Sequence, residues 1–266
     1  MTDDQPSVPA PEVEGGAPAE RWGATGARSR RRRARVRRWR TLRAAWEWAK
    51  SVQLAVLLFL LARALLVEAF RIPSGSMEGT LLVGDFLLVN KLLYGAELPV
   101  VRAKLPAVRA PRYGDVLVFR FPPDPSKDFV KRLVGLPGDT VAMRHGVLLR
   151  NGRPQRERYA VHRPDGFDGM AAEFLWQRGY LAPGVDAPRY RPSRDTWGPL
   201  VVPARHFFVL GDNRDNSLDS RYWGFVPDTL VRGSPMFVYF SMTPDSLRER
   251  SWTDRVRWAR LGAMIR

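Results

Sequence analysis

The chain has 266 residues, 45% of them hydrophobic, which is enough apolar material for one substantial folded domain and excludes a wholly disordered chain. It has no cysteine, which excludes disulfides, thiolate-bound zinc and a cysteine nucleophile; its three histidines, His145, His162 and His206, lack the H-x-x-x-H spacing of zinc proteases. The net charge of +16 points to an anionic partner, nucleic acid or a membrane surface, and the position of the charge decides between them.

Residues 1–26 are rich in Pro, Ala, Gly and acidic side chains and predict a disordered segment. A dense arginine run follows, from Arg28 to Arg43, and it lies just before the most apolar stretch, Val52 to Phe70. Trp46 and Trp48 stand between the two, as interfacial aromatics do. As a helix that stretch would span roughly 28 Å, enough for a hydrocarbon core. Basic charge on its near side predicts a cytoplasmic tail over residues 1–50, a transmembrane anchor over 51–70 and everything beyond Phe70 outside. Arg63 and Glu68 interrupt the pattern, so an interfacial or buried helix also fits it, and Ala62-Arg63-Ala64 fits a small-x-small cleavage site. The basic run is far longer than the n-region of a cleaved leader, which favours a retained anchor. A nucleic-acid binder would spread its charge over a folded face; here the densest charge abuts the apolar segment.

Beyond Arg71 strand signals dominate. Asp85–Asn90 and Asp115–Phe119 are short apolar runs, each after a glycine. A strand over Asp128–Leu136 ends in Leu136-Pro137-Gly138-Asp139, with Pro and Gly placed for a type II turn. Thr140–Asn151 predicts a hairpin turning at His145-Gly146, and His206–Leu210 and Met236–Ser241 are further strands. The expected class is mainly β with non-local pairing. Residues 153–204, rich in Pro, Gly, Arg and Asp, predict a loop-rich insertion between two parts of one core, 71–152 and 205–246. Residues 247–266 form a basic amphipathic segment in which Arg255, Arg257 and Arg260 alternate with Trp258, Leu261, Met264 and Ile265; it suits an anionic lipid surface and an ordinary surface helix equally.

Three clusters carry chemistry. In Arg71-Ile72-Pro73-Ser74-Gly75-Ser76-Met77-Glu78 two serines flank a glycine, and an exposed serine on such a turn can attack a carbonyl while its own N–H and a neighbouring hydroxyl hold the oxyanion. The same composition also makes an ordinary turn. No histidine stands in a catalytic setting, but a lysine can serve as base where burial disfavours its charged form. Lys131, in the apolar strand Asp128–Val134, is the candidate, although the alternating strand by itself favours a lysine turned to solvent. The third cluster runs from Gly211 to Gly224 and is a turn by composition; extended, it would align Ser217, Asp219 and Arg221 on one face. An Asx-rich turn or cation loop fits it too, but the acidic end ligand of a calcium loop is missing.

Taken together and in this order, the clusters resemble the type I signal peptidase family, the Ser/Lys peptidases. The matching pieces are Pro73–Met77, Gly84-Asp85 with Asn90-Lys91, Lys131–Asp139, Gly211–Pro227 and the ending Arg257–Gly262. The resemblance implies a β core of antiparallel sheets with a loop-rich β insertion after one N-terminal transmembrane helix. It implies an endopeptidase that cuts signal peptides from preproteins after A-x-A sites at the bacterial inner membrane, with no cofactor and no metal; the position of the charge adds anionic lipid as a partner and no nucleic acid. By the same resemblance Ser76 is the nucleophile and Lys131 the general base. Ser74 completes the oxyanion hole, Ser217 positions the lysine, Asp219 and Arg221 form a supporting pair, and Gly211 permits close packing. Phe70, Ile72, Pro73, Met77, Leu81, Phe129 and Val130 line the substrate groove. The chain departs from the family pattern in lacking a cysteine pair and at two positions: Gly79 stands where proline is common and Phe129 where tyrosine is. The rival readings are a self-cleaving Ser/Lys repressor-type protease and an inactive membrane-anchored β module, in which Ser76 and Lys131 would lie apart.

Overall fold

The structure, a computed structural model, describes residues 43–60, 66–95, 105–162, 172–244 and 252–265. The predicted disordered segment, the arginine run up to Arg40 and Ala62-Arg63-Ala64 lie outside the described residues. The chain divides into two units, Met1–Leu58 and Phe59–Arg266.

Residues 43–60 are helical (α1) and exposed along their length, with Leu54, Leu57, Leu58, Phe59 and Leu60 all more than half exposed. No helix among the described residues is long and apolar enough to cross a membrane. The end of the expected anchor is not helical: Val67–Arg71 is strand β1, paired antiparallel with β2 (Asp85–Asn90) in the register Val67 to Asn90 and Arg71 to Phe86. Val67 and Phe70 suit a pleated surface better than a helix. Glu68, costly in hydrocarbon, instead meets Lys91 at 3.6 Å across the pair.

The other strands follow in chain order. They are β3 (Val116–Phe121), β4 (Asp124–Gly135), β5 (Thr140–Arg144), β6 (Val147–Arg150), β7 (Arg153–Pro154), β8 (Trp197–Val201), β9 (His206–Leu210), β10 (Val226–Pro227) and β11 (Val231–Ser241). The pairings between these strands are antiparallel among the described residues. A seven-stranded sheet has the order β1-β2-β11-β3-β4-β9-β10, and a four-stranded sheet the order β7-β6-β5-β8. The expected mainly β class with distant pairing is therefore what forms: β11 lies between β2 and β3, far away in sequence.

Several local expectations are met for simple reasons. The β4–β5 connection closes by a bond from Asp139 N–H to Leu136 O with Gly138 at φ +83°, the positive φ that a type II turn requires of its third residue. The β5–β6 hairpin turns at His145-Gly146, both at positive φ. The boundary of the insertion differs from the expectation. The β5–β6 hairpin, assigned from sequence to the core, pairs with β7 and β8, so one sheet joins residues on both sides of position 153. Its alternating apolar residues are needed there: Val141, Met143, Leu148, Trp197 and Leu200 pack with Phe208 and Leu210 of β9 into one cluster.

In the C-terminal segment two of the arginines, Arg257 and Arg260, face inward. Arg260 makes paired hydrogen bonds to the fully buried Asp85 and Arg257 reaches Ser241 Oγ and the carbonyls of Val83 and Met242. Trp258 and Met264 are the outward side chains, each over 60% exposed. A buried carboxylate needs partners more than an exposed guanidinium needs water, and that decides which face turns in.

Candidate active site

Ser76 sits in a single 3-10 turn, Gly75–Met77, directly after β1. Ile72 is tied to the start of β2 by Ile72 N–H to Asp85 O (2.8 Å) and Gly84 N–H to Ile72 O (2.9 Å), and Met77 and Leu81 sink into the core with Leu87, Val89, Val118 and Val238. The turn is thereby anchored at both ends while Ser76 stays at its rim, 8% exposed. Ser74 occupies the N-cap position but makes no capping bond, and its Oγ lies 3.5 Å from Ser76 Oγ.

Lys131 comes from β4. That strand is exposed over much of its first half, but from Lys131 to Gly135 it is buried on both faces between β3 and β9, so no solvent-facing side remains. Lys131 is 4% exposed and its Nζ stands 2.6 Å from Ser76 Oγ. Burial pushes its pKa from 10.5 down to about 8; Asp219 and Asp212 oppose the drop and Arg221 adds to it. The Phe129 ring lies 5.4 Å from the amine. Serine and lysine are brought together across 55 residues of sequence, in an arrangement that can pass a proton from hydroxyl to amine.

The third cluster surrounds this pair, though not as an extended row. Asp219 is the N-cap of a short helix α2 (Ser220–Trp223), accepting from Arg221 N–H. The Arg221 guanidinium folds back on Asp219 with two bonds of 2.8 Å, and both residues are fully buried. Burial pushes the Asp219 carboxyl up, but the charge and hydrogen bonds of Arg221, with the Gly211 N–H, more than offset it and hold the group below its ordinary range. Gly211 lies where no side chain fits: a Cβ would stand 2.1 Å from Ser217 Oγ and 2.5 Å from Ser76 O. Ser217 is buried beside it and makes no hydrogen bond of good geometry to Lys131 or any other group, although its hydroxyl is near enough to Asp219 to help hold that carboxyl low.

A cleft of about 100 Å³ opens at the pair, lined by Ser74, Ser76 and Lys131 and walled by Phe70, Ile72, Pro73, Met77, Phe129 and Val130. Arg71 and Asp128 also line it and were not singled out from sequence. Leu81, expected on this wall, is instead fully buried in the core below and does not reach the cleft, since the chain turns inward after Met77. Phe129 stacks on Phe121 with ring centres 4.2 Å apart, which stiffens its side of the cleft.

The surrounding polar scaffold was invisible in the sequence. Asp212, in the loop after β9, takes two hydrogen bonds of 2.8 Å from Arg132 of β4 and one of 2.6 Å from Thr80, which follows the Ser76 turn, so it ties the two together. Asn213 clamps the turn itself, its N–H on Ser76 O and its side chain on Gly75 O and Glu78. Charged residues next to a candidate lysine and within an Asx-rich loop were the available signals; their pairing depends on tertiary contact. Gly79, at φ +109°, has a backbone that proline, held near −65°, cannot adopt, and a Cβ there would stand 2.6 Å from Tyr159 O.

The family model described as signal peptidase, peptidase S26, matches residues 45–240, from the exposed helix through every element of this site. The chain belongs to the signal peptidase family. Among curated relatives, signal peptidase I of Pseudomonas fluorescens is 42% identical over 208 residues, 73% of this chain and 72% of the relative. That of Pseudomonas aeruginosa is 42% identical over the same shares, and that of Aquifex aeolicus 33% identical over 73% of this chain and 84% of the relative. A solved signal peptidase I from Enterococcus faecalis is 30% identical and covers 48% of this chain and 98% of that one, with a TM-score of 0.32. At this site the matched stretch brings together two serine hydroxyls, one buried amine and a small, largely apolar cleft.

Proposed function

We propose that the chain is a membrane-bound serine endopeptidase that removes N-terminal signal peptides from exported preproteins after small-x-small sites, with Ser76 as nucleophile and Lys131 as general base. The observation that carries this reading is the 2.6 Å approach of a buried amine to the Ser76 hydroxyl. Neutral Lys131 takes the Ser76 proton as Oγ attacks the scissile carbonyl. The oxyanion is held by the Ser76 N–H, which as an early N–H of a helical turn has no partner within it, and by the Ser74 hydroxyl. Protonated Lys131 returns its proton to the leaving amine, and the acyl-enzyme is hydrolysed by a water that Lys131 activates.

Substrate enters as an extended strand. β1 pairs only with β2, and β4 before Arg132 pairs only with β3 among the described residues, so backbone groups on both sides of the cleft are open to a peptide. A cleft of about 100 Å³ walled by Ile72, Met77, Phe129 and Val130 accepts alanine-sized side chains and excludes larger ones.

The test is cleavage of a preprotein with an A-x-A site by purified enzyme in detergent. The wild type should cut at that bond and Ser76→Ala, still folded, should not; cleavage by Ser76→Ala would overturn the assignment. Ser74→Ala should retain binding and lose about 10²–10³-fold in kcat, as removal of one oxyanion donor does elsewhere.

The membrane reading rests on charge and exposure. The leucines of α1 are exposed along its length, it carries Trp46 and Trp48 near its start, and an arginine run precedes it. It anchors the chain in the bacterial inner membrane, N-terminus cytoplasmic and catalytic unit on the outer side. Trp258 and Met264, with Leu261 and Tyr239, offer a second apolar contact for an anionic bilayer. A protein starting at Val67 should float with phosphatidylglycerol vesicles, and less so as Trp258→Ser/Met264→Ser; no flotation of the parent would retire this contact.

A further inference from the structure

The insertion is built into the support of the lysine. Its 3-10 helix, Ala172–Tyr180, lies against α2, with the Phe174 and Tyr222 rings 4.9 Å apart. α2 is a single turn, so its last carbonyls have no partner within it. The Arg221 carbonyl is satisfied from the insertion twice: Trp176 Nε1 donates at 2.9 Å and Gln177 Nε2 at 3.3 Å. Gln177 is fully buried, and its own carbonyl oxygen accepts from Tyr190 Oη at 2.5 Å. Tyr190 Oη in turn accepts from Gly198 N–H of β8 at 2.6 Å. Arg221 Nη1 also reaches Arg194 O of the insertion, at 3.5 Å.

We propose that Trp176 and Gln177 are positioning residues for the Lys131 base, acting through Arg221 and Asp219, and that this is a function of the 153–204 insertion. A continuous chain of buried hydrogen bonds runs from β8 through Tyr190 and Gln177 to the Arg221 backbone. The Arg221 guanidinium then grips Asp219, and Asp219 holds the Gly211 N–H at the point where Gly211 packs on Ser217 and Ser76. Asp219, Asp212 and Arg221 are the charged groups that act on Lys131, and Ser76 is its hydrogen-bond partner. Two of those charged groups sit on the element that the insertion ties down. Buried polar networks of this kind specify one arrangement because each unsatisfied member is costly. Releasing the Arg221 carbonyl frees α2 to shift, so the field and the desolvation at Lys131 change together.

The inference rests on the Ser76/Lys131 reading, and the experiment separates the two. The rate of preprotein cleavage is measured against pH for the wild type, Lys131→Ala, Gln177→Met, Trp176→Phe and the last two combined, all as full-length enzyme in detergent. Gln177→Met keeps the volume and removes both hydrogen bonds of that side chain, Trp176→Phe removes the other donor while leaving an aromatic ring toward Tyr180 and Phe225, and the two combined release the Arg221 carbonyl fully. The expected result is a shift of the rising limb to higher pH, about tenfold slower cleavage near pH 7, KM unchanged and recovery of most of the rate above pH 9. A merely structural role predicts a uniform loss at all pH values or lowered thermal stability with an unmoved limb, and either result overturns the proposal. If the wild-type limb persists in Lys131→Ala, the Ser/Lys reading itself has failed, and this inference with it.

Discussion

With Lys131 replaced by alanine, kcat/KM for a preprotein bearing an A-x-A site is expected to fall by at least about 10⁴-fold, the scale seen when one member of a nucleophile–base unit is lost. The Ser76 hydroxyl then has no base within reach, since the three histidines lie elsewhere and none lines the cleft. The same lysine sets the pH dependence. Only the neutral amine accepts a proton, and burial places its pKa at about 8, so the wild-type rate should rise through pH 7–9 and level off above. A rate flat from pH 6 to 10 would contradict the assignment.

The linked stability effect has a definite sign. A lysine whose pKa falls from 10.5 unfolded to about 8 folded costs stability fully at pH values below about 8, and the cost is relieved as pH rises to about 10.5. Lys131→Met should therefore be inactive yet more stable than the wild type at pH 7, by up to about 3 kcal/mol. The gain should fade between pH 8 and 10.5. Thermal melts at pH 6, 8 and 10 measure it; a destabilised Lys131→Met at pH 7 would mean that the amine is better solvated than its burial implies.

The second large effect belongs to Gly211. A single added methyl in Gly211→Ala would overlap Ser217 Oγ at 2.1 Å and Ser76 O at 2.5 Å. Ser76 O is fixed by the Asn213 N–H and Gly211 N–H is fixed by Asp219, so neither side can yield cheaply. Overpacking of this kind costs about 1–3 kcal/mol. The larger effect is on rate, because displacement of the Ser76 backbone misaligns the oxyanion donor and the nucleophile together; about 10²-fold or more in kcat is expected. Ser217→Ala/Gly211→Ala, which removes the Oγ contact, should recover part of the stability but little of the rate. Wild-type kcat in Gly211→Ala would show that the Ser76 turn is not held through this contact.

The two positions that depart from the family pattern have different standing. Gly79 is tied to its backbone, since neither proline nor a residue with a Cβ fits its φ and its contact with Tyr159 O. The Phe129 ring packs on Phe121 and lies beside the Lys131 amine. That surface needs aromatic area but no hydroxyl.

Much was determined by sequence alone. Alternation and turn residues located β2, β9 and the β5–β6 hairpin at their observed bounds, because strand spacing and the φ demands of Gly138 and Gly146 are local properties. The order of the three clusters pointed to the family to which the chain belongs, and that resemblance supplied the serine and the lysine proposed here as the dyad. What sequence could not decide was which side of each element would be buried. Lys131 on an alternating strand reads as solvent-facing; only β9 and the Ser76 turn closing over β4 take it out of water and depress its pKa. Val67–Phe70 reads as the end of an apolar helix; only the availability of β2 as a partner makes it a strand. The family resemblance puts Leu81 in the groove, and the spacing of Arg257 and Arg260 suits a lipid-facing stripe and a solvated surface helix equally. The packing of Met77 carries Leu81 inward, and the buried Asp85 draws both arginines in. Asp212 with Arg132, and Gln177 with Arg221, are joined across 80 and 44 residues. Such pairs leave no periodic trace in a chain, because the free energy that selects them arises only when folding removes both partners from water.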